Sequence, residues 1–110
     1  MKASQKVIDR VNGFVAKVQS ETITHYIKDL PNLVPAVISI VECSKNFKIV
    51  TASHDGSSRS VYCFVSKANG DIYKAATWAA PAKHVRGNIF DANYGWKTAV
   101  NLYGANYIVR

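Results

Sequence analysis

Acidic side chains are scarce here: 7 Asp and Glu stand against 14 Lys and Arg, leaving a net charge of +7 with histidine neutral. The carboxylates are also scattered. None is paired with another, as general acid–base work requires, and several already have a structural use: Asp71 beside a turn, Asp91 as a helix cap, Asp55 within a polar turn. Cysteine is nearly absent. Cys43 and Cys63 are too few for a disulfide framework or a four-ligand zinc site, and both fall in apolar runs, where a thiol behaves as a small buried hydrophobe. Cys63 in particular sits mid-strand, far from the electropositive, exposed setting that a reactive thiolate needs. His25, His54 and His84 lack any HxH, HxxxH or CxxC spacing, so no metal is expected. Neither G-x-x-x-x-G-K-[ST] nor G-x-G-x-x-G occurs, which excludes the common phosphate cradles and leaves no cofactor expected. These absences together point away from an enzyme.

Long hydrophobic runs are missing too. The longest strongly apolar stretch, Leu33 to Val41, is far too short to span a bilayer, so no membrane association is expected. The chain opens without a charged n-region, apolar h-region and cleavage site, which reads as cytoplasmic. With 110 residues there is material for one domain and one modest core.

What is present divides the chain by charge. Residues 1–44 carry five Lys/Arg against four Asp/Glu (5 − 4 = +1), and residues 45–110 carry nine against three (9 − 3 = +6). A cationic excess gathered in one part of a small domain favours a polyanionic partner.

The hydrophobic pattern begins helical. Val7, Val11, Phe14, Val15 and Val18 recur at spacings of three and four, and Ile23, Tyr26, Ile27 and Leu30 continue the stripe. Ser4 is placed as N-cap and Pro31 as the stop, while Gly13, costing about 1 kcal/mol relative to Ala, marks a kink or break. The polar face, with Lys6, Arg10, Lys17 and Glu21, reads as solvated. Residues 36–43 fit a short buried helix or a strand equally well. Beyond Asn46 the period becomes two: residues 47–53, 59–67 and 71–77 form three antiparallel strands, the last two joined at Asn69-Gly70. Residues 78–90 read as an irregular loop. Trp96, Ala99, Val100 and Tyr103 at helical spacing predict a helix from Asp91 to about Tyr103 with Gly104 at its C′ position, and residues 106–110 a final strand. The expected architecture is α+β: an N-terminal helical segment on an antiparallel sheet of about four strands, with a C-terminal helix.

The segment Gly70–Asp91, GDIYKAATWAAPAKHVRGNIFD, resembles one found in a family of short bacteriophage-encoded proteins, in which a hairpin ending G-[DE]-[IVL]-[YL]-K-A-A-[ST]-W precedes A-P-A-K-x-x-R-x-N-[IL]. Gly70, Lys74, Trp78, Pro81, Lys83, Arg86 and Asn88 carry the likeness, which covers Val65 to Phe90. It implies a viral origin and the cytoplasm of an infected bacterial host, and brings no activity with it.

The candidate site follows from the residues themselves. Lys74, Lys83, Arg86 and Lys97 offer phosphate contacts, and Tyr73 and Trp78 offer stacking surfaces, the combination that binds single-stranded DNA or RNA. Alternation puts Tyr73 and Lys74 on opposite faces of their strand, so only one of them shares the open side of the sheet. Arg86 has a structural alternative in its own loop's carbonyls or in Asp91, and Trp78 one in the core. The alternative partner is an acidic protein, with the basic stretch meeting carboxylates, or further copies of the chain in a homo-oligomer.

Overall fold

A computed structural model describes residues 2–106. The chain begins with helix α1, Gln5–Asp29, then runs through five strands, β1 (Val37–Glu42), β2 (Asn46–Ala52), β3 (Arg59–Ser66), β4 (Asp71–Ala75) and β5 (Pro81–Asn88). A 3-10 turn at Ala92–Gly95 and a small hairpin of β6 (Val100–Asn101) and β7 (Gly104–Ala105) complete it. The five strands form one antiparallel meander in sequence order. The class is α+β, as the patterning indicates.

The helix starts where Ser4 Oγ accepts from the Val7 amide, one of the donors a helix leaves unsatisfied at its start. It ends at Leu30, which leaves the helical region at φ −136° and ψ 53° before Pro31. Val7, Val11, Phe14 and Val18 are buried along one stripe and pack on Ile38, Ile49, Cys63, Val65 and Ile72 of the sheet. Fully burying Phe14 alone contributes about 2–3 kcal/mol. A bulge between Ile49 and Val50 leaves Tyr62 as the extra residue on β3, with its ring 6.4 Å from that of Phe14. The Tyr62 hydroxyl then donates to the Asn101 carbonyl and ties the small hairpin to the sheet.

Several expectations are corrected and one that stood open is resolved. The main sheet has five strands among the described residues, because residues 37–42 join it and residues 81–88 of the supposed loop pair with β4 as an edge strand, interrupted by two register shifts that hid their period. Residues 37–42 resolve as a strand. The C-terminal helix is absent: Asn93, Tyr94 and Gly95 all have positive φ (56°, 59° and 78°), which reverses the chain after one 3-10 turn. Asp91, expected to cap that helix, instead accepts from the Asn88 amide. Trp96, Ala99 and Val100 are buried, as their spacing suggested, but in the turn leading into the small hairpin and at its first residue, and Tyr103 is exposed. Finally, Gly13 does not kink α1. It makes room for Tyr94, since a Cβ there would lie 2.5 Å from the Tyr94 hydroxyl. The strand expected over 106–110 lies, beyond Asn106, outside the described residues.

Arg10 is not on a solvated face either. Its Nε donates to the Ile89 carbonyl at 2.6 Å and its Nη2 to that of Asp91 at 3.1 Å, while its guanidinium stacks 3.9 Å from the Tyr94 ring centroid. This one side chain joins the helix to the segment following β5.

Candidate nucleic-acid interface

Residues paired across antiparallel strands share a face. The register Val41–Lys48–Phe64–Tyr73–Val85 therefore runs across all five strands on one side. The neighbouring register Glu42–Phe47–Val65–Ile72–Gly87 runs on the side that α1 covers, where Phe47, Val65 and Ile72 belong to the core. The first register thus lies on the face that the helix leaves uncovered, where Phe64 and Lys48 are nonetheless buried, Tyr73 is half-buried, and Val41 and Val85 at the two edges are exposed.

Trp78 is brought to that face by the β4–β5 connection. Thr77 Oγ1 accepts from the amides of Ala79 and Ala80, and the amides of Ala76 and Thr77 both donate to the Ala80 carbonyl, closing a tight turn with Trp78 at its tip. The indole is 47% exposed. Lys48 Nζ stands 4.4 Å from its ring centroid and the Arg59 guanidinium 5.3 Å. Lys48 is otherwise buried, its stem laid along the sheet, so its charge is held beside the ring. A shallow groove of about 270 Å³ adjoins, lined by Ser60, Val61, Ala75, Thr77 and Trp78. The result is a half-exposed aromatic ring with two cations close to it on a β-surface.

The six expected site residues do not all meet here. Tyr73 lies on the same face, in the register of Lys48, and Trp78 is above it. Lys83 is exposed on the neighbouring edge strand. Lys74 falls by alternation on the helix side. Arg86 has a structural use: its Nε donates to the His84 carbonyl at 3.3 Å and its Nη1 to the Asn106 carbonyl at 2.5 Å. Lys97, with φ 70°, borders a different groove of about 410 Å³ with His25, Lys28 and Trp96, between α1 and the small hairpin. Sequence reasoning missed Lys48 and Arg59. Both lie in strands whose alternation sets them on one face, but what unites them is the long-range placement of Trp78, which no local pattern encodes.

Chemistry of other kinds finds little footing. Burial pushes the Cys63 thiol and the Tyr62 phenol well above their ordinary ranges, so neither ionises readily. Asp55 is held far below the usual carboxylate range by hydrogen bonds from the Ser57 amide and the Ser53 hydroxyl, which is turn chemistry. Among the described residues no cluster of His, Cys, Asp or Glu is placed to hold a metal ion, and no helix is long and apolar enough to cross a membrane.

Fold and face together define a small basic α+β domain with a helix on one side of a five-stranded meander and an aromatic–cationic surface on the other. The chain belongs to DUF7717, a family of unknown function whose model matches residues 2–106. No curated protein and no solved structure matches it.

Proposed function

We propose that the free face of the sheet binds single-stranded nucleic acid without catalysis, as a small accessory protein of phage type acting in the cytoplasm of an infected bacterium. Bases stack on Trp78 and Tyr73, and Lys48, Arg59 and Lys83 meet the backbone. The observation that carries the reading is the half-exposed Trp78 flanked by Lys48 and Arg59 on the one sheet face without a helix. The charge asymmetry supports it, since most of the excess cation lies in the sheet half of the chain. The sequence likeness of Val65–Phe90 to phage-encoded proteins supports the setting.

The test is a titration of a short fluorescent oligonucleotide at several salt concentrations. Trp78→Ala should weaken binding by about 1–3 kcal/mol, the contribution of one stacked base. Arg59→Glu with Lys83→Glu should weaken it further and lower the salt slope by about 1.4, at roughly 0.7 per lost phosphate contact on a single strand. Wild-type protein that binds no oligonucleotide even at low salt discards the proposal. Capture of an acidic protein that survives nuclease treatment would replace it with the protein-partner reading.

A further inference from the structure

The two edges of the sheet are unlike. β5 carries Pro81, Lys83, His84 and Arg86 and is broken by two register shifts, the devices by which natural sheets discourage added strands. β1, Val-Ile-Ser-Ile-Val-Glu, has no proline, no cation and a continuous register with β2. Its outer edge is partly occupied by one side chain. Gln19 Nε2 donates to the Ala36 carbonyl at 2.9 Å, and Gln19 Oε1 accepts from the Ile38 amide at 2.8 Å, mimicking a neighbouring strand. These bonds fix which backbone groups point outward. In an antiparallel strand alternate residues face the same edge, so Ile38, Ile40 and Glu42 present theirs away from β2. The Cys43 amide bonds inward to Asn46, which agrees with this phase. Gln19 thus covers the edge as far as the Ile38 amide and leaves a run from the Ile38 carbonyl to the Glu42 amide.

We infer that this run pairs antiparallel with the same run of a second copy, about a twofold axis at Ile40. Ile40 would exchange both of its bonds with Ile40 of the partner subunit, and the Ile38 carbonyl and Glu42 amide would close one further bond on each side. The run is centred on Ile40, so it is complementary to itself in this register. The side chains around the edge suit the same occupant. Of the eleven exposed large hydrophobic residues among those described, seven fall between residues 23 and 41: Ile23, Ile27, Leu30, Leu33, Val34, Val37 and Val41. Ile23 and Ile27 follow Gln19 at four-residue intervals on α1, so they continue along the helix from the point where it reaches the edge. Charge favours a copy of this chain over a charged partner here. Residues 1–44, which supply both α1 and β1, are nearly neutral at +1, so the edge itself adds little to the repulsion between two molecules of net charge +7. The inference is independent of what the free face binds.

Sedimentation equilibrium of the whole protein at about 100 µM, far above a micromolar dissociation constant, provides the test. Wild type should run at twice the 12.1 kDa chain mass. Val41→Lys, which sets like charges near the axis, should raise the dissociation constant at least tenfold. Ile40→Pro, which removes an outward donor that no other group among the described residues uses, should give one-chain mass with an unchanged far-ultraviolet spectrum. Val85→Lys on the opposite edge should leave the mass doubled. Wild type at 12.1 kDa overturns the inference. So does a dimer that Val41→Lys leaves intact, and this variant decides the matter should Ile40→Pro fail to fold.

Discussion

Replacing glycine by alanine inside a helix ordinarily stabilises it by about 1 kcal/mol, because alanine has less backbone freedom to lose. At Gly13 the structure reverses that sign. The added Cβ would lie 2.5 Å from the Tyr94 hydroxyl and 2.9 Å from both Cε1 and Cζ, well inside contact distance. A tyrosine at the end of a loose loop would swing aside at little cost. Tyr94 is constrained at both ends: its backbone sits at φ 59°, and its ring is stacked 3.9 Å from an Arg10 guanidinium that two carbonyls hold in place. Moving the ring weakens that stack, worth about 0.5–2 kcal/mol, and overpacking of this kind costs about 1–3 kcal/mol. Set against the helix gain, Gly13→Ala should destabilise by about 0.5–2 kcal/mol, measured by urea unfolding. In a Tyr94→Ala background the same change should stabilise by about 1 kcal/mol, so the two positions couple by about 1.5–3 kcal/mol. Equal stabilisation in both backgrounds would refute the contact.

Two further outcomes follow from buried groups. Lys67 is almost wholly buried and donates to Glu42 Oε2 at 2.7 Å, a bond that holds the Glu42 carboxyl below its usual value of 4.5. A folded value depressed below the unfolded one gives stability present above pH 4.5 and lost as pH falls through the folded value, so the thermal midpoint should drop on acidification and Glu42→Gln should drop less steeply; identical pH profiles would count against the pair. In dilute native protein a thiol reagent should modify the half-buried Cys43 and spare Cys63, which should react only after unfolding, and rapid native labelling of two thiols would contradict the packing around β3.

The helix and the central strands β2, β3 and β4 were legible because each carries its period intact: valines at three and four along α1, alternation along β2 and β3, and glycine at the β3–β4 turn. The last third was not. Trp96, Ala99, Val100 and Tyr103 repeat at helical intervals, yet local propensity yields there to two long-range demands. Tyr94 must reach Gly13, and Gly104, at φ 124°, must pass over the Tyr62 carbonyl, where a Cβ would lie 2.6 Å from the oxygen. Neither demand is written near the residues that obey it. The candidate site shows the same division. Trp78 and Tyr73 stood out by type, whereas Lys48 looked like one more polar position of a strand until the β4–β5 turn set an indole against it.

Arg10 binds two carbonyls that follow it by 79 and 81 residues. The helix is therefore made long before the carbonyls that Arg10 binds, with the hairpins, whose contacts are local, lying between the two in the chain. Truncations that remove the segment after β5 should leave a meander on which the helix still packs but lacks its Arg10 latch.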